Sequence, residues 1–307
     1  MKLLDRLLDN LIAQHSTIAA KSAFAPEEAL SHDFEKCEIA VLPIPYDKTS
    51  TYHKGADRGP EAMLEASQSV ELYDIETASE VYRRGIYTLS PLVVSDSPEA
   101  LFEKAKEVVS SLCARKKFPV ILGGEHSISA GVVAGIANSC SNLSVLQLDA
   151  HGDTRESYMG SRFNHACVMA RVREICPIVQ VGIRAIDISE VAALNRERVF
   201  FAHAIHAASN DLAWQNQAIS LLSPNVYVTI DLDCFDSSIM PSTGTPEPGG
   251  LTWQQVTTFL KLLAAKRSIV GFDVVELLPR ESNPAPDFLA AKLVYQFLSY
   301  IFAQKCL

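Results

Sequence analysis

The sequence predicts an α/β fold: a mainly parallel sheet of about eight strands, covered by helices on both sides in a three-layer α/β/α sandwich. Three observations lead there. Short β-rich runs alternate with helix-like stretches along the whole chain. Several of those runs are apolar almost without interruption, as strands buried on both faces are. No internal repeat, low-complexity run or linker-like stretch divides the chain.

The elements follow in order. Leu3, Leu4, Leu7, Leu8, Leu11 and Ile12 recur at helical spacing and predict an opening helix, packed on its own body or on another subunit. Asp5, Arg6 and Asp9 interrupt any apolar region, so the segment does not read as a secretory leader. Strands are predicted at 38–43, 118–122, 143–148, 178–183, 198–202, 225–230 and 268–275, with a weaker eighth at 85–89. Helices are predicted near 60–74, 99–116, 127–139, 252–266 and 287–304. Segment 44–59 is polar and turn-rich and reads as a functional loop after the first strand.

Composition narrows the classes of function. The 307 residues allow one large domain or two. The formal net charge of -9 argues against nucleic acid or an anionic membrane as the main partner, since both call for a basic face. It is compatible with a cationic substrate. No run of about 18 apolar residues predicts a membrane span. The seven cysteines are odd in number, scattered and without a CxxC pair, the usage of a reducing, cytoplasmic setting.

In open α/β sheets, ligands bind beyond the carboxyl ends of the strands. Four motifs begin where an apolar run stops. GlyGlyGluHisSer brings His126, and AspAlaHisGlyAsp brings Asp149, His151 and Asp153. AspLeuAsp brings Asp231 and Asp233, and Glu276 ends the run GlyPheAspValVal. Side chains two apart on an extended chain share a side, so these residues are expected as two rows, with His126 joining from a neighbouring strand. An isolated DxD is most often a loop or a cap. Four carboxylates and two imidazoles at one buried edge are different, because they would repel one another severely without cations. Two divalent metals would neutralise them, and mixed oxygen and imidazole donors suit Mn²⁺ while accepting Zn²⁺, Co²⁺ or Ni²⁺.

These motifs, together with ThrGlyThrProGluProGlyGlyLeuThr (243–252) and AspValValGlu (273–276), resemble those of the ureohydrolase family: arginase, agmatinase and relatives. The resemblance runs in family order over roughly 38–300. It implies a single domain over 1–307 around an eight-stranded parallel sheet, with 1–35 a helical N-terminal extension. It also implies a Mn²⁺ pair and a homo-oligomer, trimeric or hexameric. Carried over by motif position, His126, Asp149, Asp153 and Asp231 would hold one metal and Asp149, His151, Asp231 and Asp233 the other, with Asp149 and Asp231 bridging. Asp153 would also orient the attacking nucleophile. Glu276 would anchor the guanidinium, assisted by Thr245, and His165 would be the proton-shuttling histidine. The chain departs from the family pattern at Glu125, Ala166 and Cys234, where Asp, Gly and Gly are usual. A catalytically inactive regulatory homologue would not need this intact ligand set, and a deacetylase of related fold uses one metal.

The substrate is read from segment 154–164. Arginases recognise an α-carboxylate there with small polar residues, whereas this chain has Arg155 and Phe163 at two of those places. With Phe163 and Asn164 as expected substrate contacts, the segment resembles the agmatinase branch, which implies cleavage of agmatine to putrescine and urea. Arg155 leaves guanidinobutyrate open as a substrate unless it is tied in a salt bridge or subunit contact. Of the remaining histidines, His203 and His206 lack carboxylate neighbours in sequence. His53 is either a solvated loop residue or part of the pocket mouth, and His15 and His32 read as surface residues.

Overall fold

All the expected strands form in the computed structural model, which describes residues 5–15, 23–29, 31–94, 96–208 and 212–303. They are β1 (Ile39–Ile44), β2 (Ile86–Thr88), β3 (Phe118–Gly123), β4 (Leu143–Leu148), β5 (Ile178–Ile183), β6 (Val199–Phe201), β7 (Asn225–Asp231) and β8 (Ser268–Val275). They pair in parallel in a single sheet of order β2-β1-β3-β8-β7-β4-β5-β6. The helices are α1 (Asp5–His15), α2 (Gly59–Ser67), α3 (Pro98–Ala114), α4 (Ile128–Ala137), α5 (Val168–Arg173), α6 (Ile188–Val191), α7 (Ala202–Ala207), α8 (Ala213–Ser220), α9 (Trp253–Lys266) and α10 (Ala285–Ala303). Leu3, Leu4, the side chain of His15, residue 304 of the expected last helix and Cys306 lie outside the described residues.

The period-2 alternation of each strand feeds two cores. Ile39 and Val41 of β1 face one side, with Met63 of α2, Phe259 and Leu263 of α9, and Phe297 of α10. Ala40, Leu42 and Ile44 face the other, with Leu8 and Leu11 of α1, Val108 and Leu112 of α3, Val132 of α4 and Val172 of α5. Every residue of β1, β4 and β5 is buried. That is the burial on both faces that the near-continuous apolar runs imply, and the three layers of the α/β/α sandwich result. No helix among the described residues is long and apolar enough to cross a membrane.

Helix ends follow local chemistry. Ser97 caps α3 through the Ala100 amide and Pro98 occupies the first turn, so this helix starts one residue before its apolar pattern. Thr252 and Gln255 form a reciprocal capping box on α9. The helix expected over 60–74 stops at Ser67 instead. Ser67 accepts the Ala25 amide, and Gln68 donates to the carbonyls of Ala23 and Ala25, which ties the chain end down to the segment before β1. Sequence periodicity misses α5 to α8. In α5 the apolar stripe is broken by Arg171, which is buried between Glu156 and Glu174. The other three are four to eight residues long, too short to show a period.

The order of strands decides where chemistry can occur. The four motif-bearing strands, β3, β8, β7 and β4, are consecutive at the centre of the sheet. β3 runs on past its last residue by pairing with the end of β1: Gly124 donates to the Ile44 carbonyl and Glu125 to that of Tyr46. A Cβ on Gly124 would lie 2.0 Å from the Tyr46 carbonyl oxygen. Gly124→Ala must therefore push backbone against backbone, and is expected to lower the melting temperature by more than about 5 °C. A thermal scan by circular dichroism checks this, and an unchanged midpoint would contradict so close an approach.

Candidate metal centre and substrate pocket

The ligand loops are turns rather than extended rows. Asp231 ends β7, and the chain then enters a 3-10 turn over Leu232–Cys234 in which the Asp233 amide donates to Asp231 Oδ1 at 2.9 Å. After β4, the His151 amide donates to Asp149 Oδ1 at 2.6 Å, and Asp153 takes a left-handed φ of 52°. Convergence therefore comes from tight turns that bend each carboxylate inward, which corrects the expectation of alternation along a strand. His126 does not come from a strand adjacent to these either. β8 separates β3 from β7, and the link across it is the His126 amide donating to Glu276 Oε1 at 2.8 Å. Glu276 also has a left-handed φ, 65°. For non-glycine residues this conformation is uncommon, and it persists where surrounding structure imposes it.

These turns bring the six expected ligands together. Nδ1 of His126 lies 3.2 Å from Asp149 Oδ2, 3.2 Å from Asp153 Oδ2 and 3.3 Å from Asp231 Oδ2. Nδ1 of His151 lies 2.9 Å from Asp233 Oδ2 and 3.7 Å from Asp149 Oδ1. Two groups of potential ligand atoms result, His126–Asp149–Asp153 and Asp149–His151–Asp233, sharing Asp149.

A count of protons says which nitrogen of His126 is available. Thr229 Oγ1 donates to Asp273 Oδ1 at 2.6 Å, and Tyr227 donates its hydroxyl to the other oxygen of Asp273 at 2.7 Å. Thr229 has spent its one proton, so it accepts from Nε2 of His126, 2.8 Å away. In the neutral ring that would bind a cation, the lone pair is then on Nδ1, which is buried, has no hydrogen-bond partner and faces three carboxylates. An orphaned buried acceptor among anions fits a cation between them.

Without a cation, protons take its place in the cluster. Burial, together with the charges of Asp233 and Asp149, raises the Asp231 carboxyl well above the carboxylate range. Burial raises Asp153 to about 7, Asp149 adding to it. At Asp149 burial is outweighed by His126 and His151, which hold its carboxyl low. Burial would also discharge the two imidazoles, but the surrounding carboxylates prevail and raise both. The cluster thus retains protons to balance its charge, a task that divalent cations bound to these oxygen and nitrogen donors would take over.

A cavity of about 330 Å³ opens above the cluster. His151, Asp153, Asp231, Asp233, His165, Thr245 and Glu276 all line it. Phe163 and Asn164, expected as substrate contacts, do not. Phe163 packs on Phe102 at a centroid distance of 4.9 Å, and Asn164 caps the turn over His165–Cys167 through the Ala166 amide. An aromatic and an amide in a polar segment serve packing and capping here. His53 reaches the cavity wall, and Arg155 lines it as well. Arg155 is tied, however, lying 3.4 Å from Asp187, 3.7 Å from Glu190 and over the Tyr158 ring. His206 joins its Nε2 to the Gly249 and Gly250 carbonyls, and His203 stacks on Phe201.

Sequence reasoning missed Tyr158, Asp187, Glu190 and Glu247 on the cavity wall, and Thr49 behind His165. The only sequence trace of the acidic pair is AspIleSerGlu, a helix-capping pattern that α6 does form. Burial pushes His165 down to about 4, and positive charge on His126 and His151 adds to that, so its ring is neutral at neutral pH.

A parallel α/β sheet with anionic and imidazole ligands turned inward at its carboxyl edge, beneath an open cavity, defines a metal-dependent hydrolase class. Comparison is more specific: residues 37–299 match the sequence profile of the arginase family, and the chain belongs to that family. It is 40% identical over 291 residues to an N(1)-aminopropylagmatine ureohydrolase from Synechocystis, covering 90% of this chain and 93% of the relative. It is 34% identical to an agmatinase from Pyrococcus horikoshii, covering 86% and 92%. Among solved structures, the agmatine ureohydrolase of Thermoplasma volcanium superposes with a TM-score of 0.84 at 29% identity, covering 96% of this chain and 99% of that one.

The proton count at His126 yields a test. Thr229→Val keeps the shape of the side chain and removes the acceptor that orients the ring. It is expected to weaken divalent-metal binding by about 10–100-fold, measured by calorimetric titration of the metal-stripped protein with Mn²⁺. Unchanged affinity would show that the ring is oriented by its carboxylate neighbours alone.

Proposed function

We propose that this chain uses a pair of Mn²⁺ ions to hydrolyse the guanidinium group of a linear guanidino amine, with agmatine the core substrate and putrescine and urea the products. The observation that carries the reading is the position of Glu276. Its Oε1 is fixed by the His126 amide and its side chain lines the same cavity as the ligand cluster, where burial and the charge of Glu125 raise its carboxyl well above the usual range, so that it calls for a cationic partner. A guanidinium can donate parallel N–H bonds to such a carboxylate and present its carbon to the metal side.

In this reading His126, Asp149, Asp153 and Asp231 hold one ion, and Asp149, His151, Asp231 and Asp233 the other. The shared position of Asp149 supports its bridging role. When bound, the pair supplies a strong nucleophile from water at neutral pH. The chain's own residues do the rest. Asp153 orients the nucleophile, Glu276 with Thr245 holds the guanidinium, and His165 passes a proton to the departing amine. The active form is a homo-oligomer, trimeric or hexameric, in the cytoplasm. Because both ligand groups share Asp149, Asp149→Ala is expected to lose both ions rather than one. Metal analysis after gel filtration checks this, and retention of one tightly bound ion in active enzyme would refute the shared site.

Substrate choice lies at the rim. Asp187, Glu190 and Glu247 make that wall acidic, and Arg155 is engaged with the first two. An arginine carboxylate placed there would be desolvated opposite anions. Leaving a charged group unpaired costs roughly 1–3 kcal/mol or more, and each 1.4 kcal/mol is tenfold in rate. A second reading, N(1)-aminopropylagmatine, is favoured by the Synechocystis relative and by Glu247, whose carboxylate could meet the ammonium of a longer tail. Urea release is expected to be at least about 10–100-fold higher in kcat/KM with agmatine or its aminopropyl derivative than with arginine. Preference for arginine by the metal-loaded enzyme would overturn the amine reading and leave guanidinium hydrolysis standing. Glu247→Gln decides between the two amines, since a larger loss on the aminopropyl derivative identifies that compound as the one the rim is built for.

A further inference from the structure

Against Nδ1 of His165 stands a short hydrogen-bonded chain that the proposed reaction does not by itself require. Thr49 belongs to the loop after β1. Its hydroxyl donates to Glu125 Oε1 at 2.8 Å, and its amide reaches the same oxygen at 3.2 Å. The other oxygen of Glu125 accepts the Ser127 amide at 3.0 Å. Glu125 is wholly buried, so water does not compete for these bonds. The same Thr49 oxygen accepts the His165 backbone amide at 2.9 Å and lies 3.1 Å from His165 Nδ1.

The geometry points to Thr49 as a positioning residue that sets the tautomer of His165, with Glu125 as the group that sets Thr49. A hydroxyl has one proton. Thr49 gives it to Glu125, so toward His165 it can only accept. The neutral imidazole therefore carries its proton on Nδ1 and its lone pair on Nε2. Because Nδ1 faces Thr49 and the ring lines the cavity, Nε2 is the nitrogen turned to the substrate. A proton taken up at Nε2 is then the one released from Nε2 to the departing amine, and Nδ1 keeps its own throughout. With the opposite tautomer, Nε2 would already bear the ring's one proton, and the lone pair needed to collect another would point at Thr49 instead of the substrate.

The arrangement is rigid at both ends. The loop carrying Thr49 is closed by Asp47, whose carboxylate accepts the Gly55 amide at 2.5 Å, the Ala56 amide at 3.1 Å and the Ser50 hydroxyl. Glu125 precedes His126 in the chain, so the loop at the cavity mouth and the metal-bearing turn meet at Thr49. The Glu125 side chain, set directly before His126, is the arm that bonds Thr49.

The inference rests on the proton-transfer reading of His165, and its test separates the two. The readout is the pair of ring ¹⁵N shifts of His165 in the Zn²⁺-loaded, diamagnetic enzyme, assigned by their loss in His165→Ala. The native enzyme and Thr49→Ser, which keeps the hydroxyl, are expected to show a protonated Nδ1 and a bare Nε2. Thr49→Val is expected to show the reverse or an averaged pattern, with metal content retained, kcat lowered about 10–100-fold and KM within about twofold. Thr49→Ala removes the same hydroxyl with less bulk and gives the same reading should the valine variant not fold. A protonated Nδ1 that persists in both hydroxyl-free variants would overturn the proposal, as would a bare Nδ1 in the native enzyme. If the shifts behave as expected while His165→Ala turns over normally, the positioning stands and the proton-transfer role of His165 falls.

Discussion

Across the carboxyl edge of the central strands, the buried carboxylates of Asp149, Asp153, Asp231 and Asp233 lie around the buried His126 ring and the half-buried His151 ring. Charges a few ångströms apart interact weakly in bulk water and far more strongly where protein replaces it. The fold is built around containing that repulsion. Four neighbouring parallel strands converge their carboxyl ends on one point, the flanking helices bury both faces of those strands, Asp149 and Asp231 each accept an amide from their own turn, and Asp233 accepts one from the turn after β4. Left-handed backbone at Asp153 and Glu276 is tolerated because ladder bonds on both sides hold the strands that lead to them.

The layer beneath the ligands matters as much as the ligands. Gln180 donates to Gln147 and to the Gly152 carbonyl, and Gln147 in turn donates to Asp149 Oδ2. Asp233 accepts the Ala150 amide, which joins the turn after β7 to the turn after β4. Thr229 and Asp273 perform the matching task for His126 from the strand interiors. These groups sit one or two residues inside the sheet, where a polar side chain has no solvent to satisfy it. Such a network either closes completely or is expensive, and here closure fixes which atom of each ligand faces the cavity.

Much of this was legible in the sequence because two rules coincide in it. Parallel strands are apolar throughout, and ligands gather where they end. An abrupt change from LeuSerValLeuGlnLeu to AspAlaHisGlyAsp therefore marks both an element boundary and a site. The details that escaped depend on contacts between distant segments. Nothing near Arg155 announces Asp187 and Glu190 about thirty residues on, and nothing near His165 announces Thr49, separated by 116 residues. The expected rows of alternating side chains failed because each motif runs out of its strand within a residue, and turn geometry then replaces the pleat. Phe163 and Asn164 were misplaced for a related reason. Position in a motif fixes a residue's neighbours along the chain, while a turn decides which of them faces the cavity.

The separation between cluster and rim explains how such a frame can keep one reaction and alter its substrate. Each cluster ligand is bonded to other ligand turns, so a change there spreads through the set. The rim is assembled differently. Asp187 caps the single-turn α6 and Glu190 belongs to it, and Thr245 and Glu247 belong to a loop pinned at its far end by Asp236, which accepts the Gly249 and Gly250 amides at 2.8 and 3.0 Å. His206 holds the carbonyls of the same two glycines. Glu190 does accept the Thr154 amide and hydroxyl beside Asp153, and Arg184 joins the Glu247 carbonyl to that of Asp233, but the Asp187 carboxylate pairs with Arg155 and Ser189 and not with the carboxylates that would hold metal. A substitution at Glu247 or Asp187 therefore changes the field met by the far end of a substrate, while the distances within the cluster stay as the sheet sets them.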